Sequence, residues 1–214
     1  NLPENRALLL DYLQAECEKF NFRRETYYLC QSYVDTYLDS RTIKLSLLQK
    51  LGLACMHIAM KIEEVDLVSL RDILRPMQAN TSPIFKVGEI EQMEREVVSI
   101  LNFKLLPDTL YFWFEYAVKL WDLYVSHEAV HQGFEVFKPQ EVRKDLNSYD
   151  PKLHKFQLSD TGNRYRAGLQ ALDLMSLHFE VHEFSRPNLV LAMLALIHMQ
   201  YMKLLAPYPH YNEF

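Results

Sequence analysis

Three histidines in the second half of the chain, His127, His131 and His154, are of a type that binds metal ions. His127 and His131 stand four residues apart, a spacing that places two side chains on one face of a helix. No cysteine accompanies these histidines, and no carboxylate stands at a ligand spacing that would fix it beside them. An exposed polar face explains them without a ligand. The sequence therefore predicts no metal and no other cofactor.

The adjacent carboxylates Glu63 and Glu64 are also residues of a catalytic type, because two carboxylates can act as a general acid and a general base. Neighbouring helix positions point about 100° apart, so the two carboxylates would not face one substrate. The sequence also contains no glycine-rich phosphate loop, no GxSxG pattern and no HExxH pattern. We predict that the protein is not an enzyme.

The composition is typical of a helical protein with a large core. Of the 214 residues, 49% are hydrophobic, and 12 Phe and 13 Tyr supply aromatic packing. The five glycines are few for a sheet protein or a nucleotide-binding fold, both of which use glycine in turns. The net charge of -5 gives no electrostatic reason to expect nucleic-acid binding.

The cysteines Cys17, Cys30 and Cys55 lie in apolar helical patterns and not in a CxxC spacing. An odd number without a pairing pattern predicts reduced thiols in an intracellular protein of the nucleus or the cytoplasm. No apolar run approaches the roughly 18 residues of a membrane span, and no signal peptide is visible. We therefore expect neither a membrane nor a nucleic acid as a partner.

The segment Leu51–Val65 organises the elements that must position these side chains. It is apolar, rich in small residues and abruptly charged at its end, as is typical of a central helix that emerges into solvent. Hydrophobic periodicity predicts further helices on both sides of it. The predicted helices are Glu4–Phe20, Glu25–Leu38, Lys44–Ile62, Ser69–Met77, Lys86–Leu101, Leu110–Tyr124, Asn163–His182 and Arg186–Leu205.

The first five predicted helices are joined by short links and form a domain over residues 1–106. The other three belong to a second helical domain over 107–214. Within this second domain, regularity fades at about 126–160, a stretch longer than ordinary helix connections, which we interpret as an insertion. The predicted fold class is all-α: a five-helix bundle followed by a second bundle that is divergent or truncated.

Four segments of the first domain resemble the cyclin box. Asn5–Leu13 (NRALLLDYL) is similar to the MRAIL segment that opens the box, and Tyr33–Leu38 (YVDTYL) to its YIDRFL segment. Leu53–Glu64 (LACMHIAMKIEE) is similar to its third helix, which ends in K-(F/Y)-E-E. Met93-Glu94 and the LNF of residues 101–103 resemble the fifth helix and the closing LxF. The resemblance implies a cyclin fold, whereas the second half shares only a general helical pattern.

The resemblance to cyclins implies a regulatory subunit that binds and activates a cyclin-dependent Ser/Thr protein kinase in the cell cycle or in transcription. Lys61 and Glu94 match the pair that grips the kinase in this family. Without the resemblance they would be solvated charges, since a helix C-terminus favours lysine in any case. Four apolar residues match positions around that pair, and each also fits a plain core residue: Ile58, Ile62, Val98 and Phe103.

Arg6 and Asp35 match an internal ion pair of the cyclin fold, which contributes to stability and not to partner contact. Four further residues match the groove in which many cyclins dock Arg-x-Leu peptides of substrates: Leu8, Leu9, Tyr12 and Gln49. Ala15 replaces an acidic residue of the family pattern, and two further positions depart from it, because Asn5 replaces a Met and Tyr12 replaces a Trp. Both changes reduce the apolar surface for the docked leucine.

One alternative is a cyclin fold that serves as a scaffold or a transcription-factor module without a kinase. Such proteins share the bundles but need not keep a lysine at position 61 and a glutamate at position 94, so the presence of both favours kinase binding. A helical enzyme would require polar side chains that converge on a pocket, and the sequence indicates none.

Overall fold

A computed structural model describes residues 2–74, 85–131, 161–178 and 183–205. These residues form eight α-helices and no β-strand, which confirms the predicted all-α class. The helices are α1 (Leu2–Lys19), α2 (Arg24–Ser40), α3 (Leu45–Glu63), α4 (Leu70–Leu74), α5 (Val87–Ile100), α6 (Leu110–His131), α7 (Thr161–Leu177) and α8 (Arg186–Leu205).

The clearest departure from the predicted helices is in α6, which continues past Tyr124 to His131. The first part of the stretch predicted as an irregular insertion is therefore helical. The physical reason is that no proline or glycine interrupts the chain between Tyr124 and His131. The rest of that insertion, 132–160, the predicted ends of the fourth and seventh helices, and the tail 206–214 lie outside the described residues.

The chain divides into two compact units. The first contains Asn1–Tyr111 together with Leu177–Phe179, and the second contains Phe112–Ser176 and Glu180–Phe214. The predicted domains, 1–106 and 107–214, stay a prediction about which segments fold together.

Helix α3 is the central helix of the first unit and packs against α1, α2 and α5. Ten of its residues are buried, and they are mostly small or aliphatic. Contrary to our expectation, its length and mean hydropathy of 1.2 are sufficient for a membrane span, although 56% of that stretch is buried inside the protein. A position at the centre of a bundle explains this apolarity, because such a helix contacts protein on most sides.

Gly52 allows α1 to approach α3 closely. A Cβ atom built at this position would lie 2.7 Å from Leu9 Cδ1 and 3.1 Å from Leu13 Cδ1. Both leucines are buried, so their side chains have little space into which they can move.

We expect Gly52→Ala to lower the free energy of unfolding by about 1–3 kcal/mol, because the added methyl group overpacks this contact. Gly88→Ala in α5 is the matched control, since a Cβ there meets nothing within 4 Å. Alanine at this open helical position should stabilise the protein by about 0.4–1 kcal/mol. Urea unfolding followed by circular dichroism measures both, and a Gly52→Ala protein as stable as Gly88→Ala would contradict the close approach.

The three cysteines are free thiols buried in the first unit. Burial is the largest cause of the raised pKa of each thiol, and for Cys17 burial and nearby glutamates raise the pKa to about 12. A thiol that stays protonated at neutral pH is a poor nucleophile, so these side chains act as small apolar residues of the core.

Candidate partner-binding site

Lys61, in the last turn of α3, forms an ion pair with Glu94 in α5, 33 residues later in the chain. Its Nζ atom lies 3.0 Å from Glu94 Oε1 and 2.9 Å from Oε2. The lysine side chain is 41% exposed, whereas the glutamate side chain is only 13% exposed. The structure thus brings together the two residues that the sequence predicts as the centre of the site.

His57 contacts the same carboxylate and was not among the predicted site residues. Its Nδ1 atom interacts with Glu94 Oε1, one helical turn before Lys61 on α3. A carboxylate only accepts hydrogen bonds, so Nδ1 must carry the proton in this contact. The spacing of four residues between His57 and Lys61 was the signal that could have identified it, since such residues share one helix face.

The pKa of Glu94 is lowered from its ordinary value of 4.5. Burial is the largest single influence and raises the pKa, but the hydrogen bonds and charges of His57 and Lys61 together outweigh it. The carboxylate therefore stays ionised at neutral pH, with two donors on α3.

We expect Glu94 to make the protein less stable in acid. Because its pKa is lower in the folded state, its stabilising contribution is present above the unfolded pKa and disappears as pH falls through the folded value. The free energy of unfolding should therefore decrease as the pH falls below 4.5. Urea unfolding between neutral pH and about pH 3 measures this loss, which should be smaller in Glu94→Gln. The same pH dependence in both proteins would contradict the prediction.

The four apolar residues predicted to accompany the ion pair differ in exposure. Ile58 is only 3% exposed and is a core residue of the first unit. Val98 is half-buried. Ile62 is 40% exposed and Phe103 is 78% exposed, so these two present large apolar side chains to solvent.

The backbone that carries Phe103 is held on both sides. At the end of α5, the N–H of Asn102 donates to the Ser99 carbonyl and the N–H of Phe103 donates to the Val98 carbonyl, as in a Schellman motif. Asn102 and Phe103 have φ angles of 50° and 58°, in the left-handed region that a bulky residue rarely adopts. The buried Tyr33 hydroxyl donates to the Leu105 carbonyl at 2.5 Å. These contacts order the segment that exposes the phenyl ring.

Glu64 caps the start of helix α2. The N-cap residue of α2, Arg23, makes no side-chain cap of its own. Instead, Glu64 Oε1 accepts from the Arg23 backbone N–H at 2.7 Å and from the Thr26 hydroxyl at 2.5 Å. A carboxylate is favourable there because it satisfies a terminal N–H group and lies at the positive end of the helix dipole.

We expect Glu64→Ala to lower the free energy of unfolding by about 0.5–2 kcal/mol, the usual cost of a lost N-cap. Glu63→Ala is the control, because its carboxylate lies 4.0 Å from the exposed Arg23 guanidinium and does not contact the start of the α2 backbone. An exposed pair of this kind contributes about 0–1 kcal/mol. Equal effects of the two substitutions in urea unfolding would show that Glu64 does not act as a cap.

Arg6 and Asp35 form a bidentate ion pair between α1 and α2. Arg6 Nε lies 2.6 Å from Asp35 Oδ1, and Nη2 lies 2.9 Å from Oδ2. Arg6 also donates from Nη1 to the Leu177 carbonyl at 3.2 Å. The arginine side chain is 1% exposed and the aspartate side chain 12%, so the pair lies inside the first unit.

The four residues predicted to line a peptide groove do not share one environment. Leu8 is 68% exposed, whereas Leu9 is buried against the Gly52 position. Tyr12 and Gln49 are half-buried and hydrogen-bonded to each other. Burial, followed by the charge of Glu16, raises the pKa of Tyr12 to about 12, although the bond to Gln49 acts in the opposite direction.

In the part of the chain that the structure describes, no group of three or more His, Cys, Asp or Glu side chains could hold a metal ion. His127 and His131 lie in α6. The third predicted candidate, His154, lies outside the described residues.

Residues 1–106 match the family described as "Cyclin, N-terminal domain". The chain is 33% identical to the G1/S-specific cyclin-E1 of Mus musculus over 136 residues, which are 63% of this chain and 31% of that protein. It is 29% identical to Cyclin-A1-2 of Oryza sativa subsp. japonica over 154 residues, 71% of this chain and 31% of that protein. The chain thus spans less than a third of the length of these curated relatives.

The fold is similar to that of the crystal structure of a viral cyclin from herpesvirus saimiri, with a TM-score of 0.59 and 17% identity. The similarity covers 90% of this chain and 68% of that one, which confirms the predicted cyclin fold. The segments that resemble the cyclin box all lie in the matched residues 1–106. Residues 1–106 of this chain therefore belong to the cyclin family, as its N-terminal domain.

Proposed function

We propose that this protein is a regulatory subunit that binds and activates a cyclin-dependent Ser/Thr protein kinase. The observation that carries the proposal is the Lys61–Glu94 ion pair, which lies on the surface of a cyclin N-terminal domain. Its carboxylate is largely desolvated, and its ammonium group is 41% exposed and accessible to a partner. Lysine at such a position can donate several hydrogen bonds to carbonyl or carboxylate groups of the kinase.

The exposed side chains of Ile62 and Phe103 supply the apolar part of the proposed interface. Protein interfaces combine an apolar centre with polar groups that fix the register of the two partners. A bulky side chain on an ordered backbone loses little conformational freedom when it binds. Phe103 meets this condition because hydrogen bonds hold the chain around it.

Activation requires no chemistry from this chain. A protein that binds the active conformation of a kinase more tightly than the inactive one shifts the population toward the active form. We propose that the first unit acts in this way and that the protein is therefore not itself an enzyme. The relatives are named G1/S-specific cyclin-E1 and Cyclin-A1-2, which favours a role in the cell cycle and a location in the nucleus or cytoplasm.

A second proposal concerns the docking of substrate peptides of the Arg-x-Leu type. Leu8 offers an exposed apolar side chain for them, but the buried Leu9 does not. Docking would therefore depend mainly on Leu8, together with Tyr12 and Gln49. A Leu8→Ala protein should therefore lose peptide docking and keep kinase binding.

Affinity purification from native extract tests the proposal. The parent chain should recover a kinase that phosphorylates histone, and a Lys61→Ala/Glu94→Ala chain should not. Lys19→Ala/Glu16→Ala is the matched control, because Lys19 also ends a helix, is 43% exposed and lies 3.0 Å from Glu16. If the parent recovers no kinase, or all three chains recover the same kinase equally, the protein is a cyclin-fold scaffold and not a kinase activator at this site.

A further inference from the structure

We infer that His57 is a positioning residue of the proposed kinase site, which holds the Glu94 carboxylate in place so that Lys61 can turn to the partner. The inference rests on the proposed function. It concerns how the charged centre of the site is built and which residue supports it.

The contacts of the carboxylate are divided between an inner and an outer donor. His57 is 14% exposed, close to the 13% of Glu94, whereas Lys61 is 41% exposed. Glu94 Oε1 accepts from both donors, and Oε2 accepts from Lys61 at 2.9 Å. The imidazole–carboxylate contact is thus the covered part of the site, and the ammonium group is the accessible part.

This division matters when a partner binds. A lysine has a long, flexible stem, and its ammonium group can leave one acceptor for another at little steric cost. If Lys61 were the sole donor, its movement toward a kinase would leave a largely buried carboxylate without compensation. The proton on His57 Nδ1 prevents this, because it keeps a charge-assisted hydrogen bond on Oε1.

His57 and Lys61 can act together because α3 presents them on one face. They stand four residues apart, and both side chains reach the same residue of α5. A ring with only two side-chain torsions is a more rigid support than a lysine. The arrangement therefore favours a fixed carboxylate with a movable cation.

Three substitutions of His57 separate positioning from packing. His57→Phe keeps a ring of similar size and removes the donor. His57→Asn places an amide nitrogen close to the Nδ1 position, whereas His57→Gln places it closer to Nε2. Binding to the kinase recovered by the parent chain is measured by calorimetry, and stability is measured by urea unfolding.

We expect His57→Phe to weaken kinase binding about tenfold, because a hydrogen bond to a charged group is lost. His57→Asn should restore binding to within about threefold of the parent, and His57→Gln should not, since only the first replaces the Nδ1 donor. A merely structural histidine would change stability but would show no such difference between the two amides. Nitrogen-15 spectra of the imidazole should show a protonated Nδ1 in the parent chain.

Each outcome decides the matter. If Lys61→Ala weakens binding but His57→Phe binds as the parent does, the inference is overturned and the proposed function stands. The same holds if the two amides are equivalent in binding, or if the spectra show an unprotonated Nδ1. If the parent binds no kinase, the proposed function fails and the inference fails with it. Should His57→Phe not fold, the comparison of His57→Asn with His57→Gln carries the test.

Discussion

Replacement of Arg6 by alanine is expected to lower the free energy of unfolding by about 3–5 kcal/mol. The reason is that Arg6 is 1% exposed and makes two short hydrogen bonds to Asp35, which is itself 12% exposed. Without the guanidinium, the aspartate would be left as an uncompensated charge inside the first unit. Because a domain of this kind has only about 5–15 kcal/mol of stability in total, this one substitution should remove a large share of it.

Two further variants show whether the pair itself causes this loss. Arg6→Lys keeps a positive charge but cannot form two parallel hydrogen bonds, and it should fall between the parent and Arg6→Ala. Arg23→Ala is the control, because Arg23 is 58% exposed and its ion pairs are 3.7 Å and 4.0 Å long. An exposed pair contributes about 0–1 kcal/mol. If urea unfolding shows similar losses for Arg6→Ala and Arg23→Ala, the internal pair does not stabilise the fold.

Replacement of Lys61 or Glu94 by alanine should have the largest effect on kinase binding. Loss of one partner of a desolvated interfacial charge pair costs about 2–5 kcal/mol, which corresponds to about 30-fold to several thousandfold in affinity. Lys61→Ala should fall near the lower limit, because the ammonium group is 41% exposed before binding. Glu94→Ala should have the larger effect, because its carboxylate orients both Lys61 and His57.

Calorimetric titration of the recovered kinase with each variant measures these losses. Lys19→Ala is the single-residue control and should bind as the parent does, since its charge is as exposed as that of Lys61 but lies at the end of α1. Urea unfolding of the same proteins separates affinity from stability. If Glu94→Ala binds the kinase with unchanged affinity, the ion pair does not contribute to the interface.

The helices and their order were accessible from the sequence because hydrophobic periodicity is a local property. The apolar, small-residue pattern of Leu51–Val65 is sufficient to predict a central helix, and α3 has ten buried residues. The error at α6 has the same origin, since polar residues interrupt the apolar ones after Tyr124 and weaken the pattern, although none of them stops a helix.

The resemblance to cyclins identified Lys61 and Glu94 as partners, but it could not show what else contacts them. The spacing of four residues places His57 and Lys61 on one face of α3, but only the position of α5 shows that both contact the Glu94 carboxylate. In the sequence, Glu64 stands out only as the neighbour of Glu63. In the structure its partner is the start of α2, some forty positions earlier in the chain. Contacts between residues so distant in sequence depend on how the helices pack.

The sequence by itself determined the all-α class, the central helix and the membership of its first half in the cyclin family, because these depend on local patterns and on motifs in order. Tertiary structure alone decided which side chains share a carboxylate, which charge caps a helix and which apolar residues stay exposed. Ile58 and Ile62 make the difference plain: they lie one helical turn apart on α3, yet one is 3% exposed and the other 40%. Packing against neighbouring helices covers the first, and the end of α3 leaves the second in solvent.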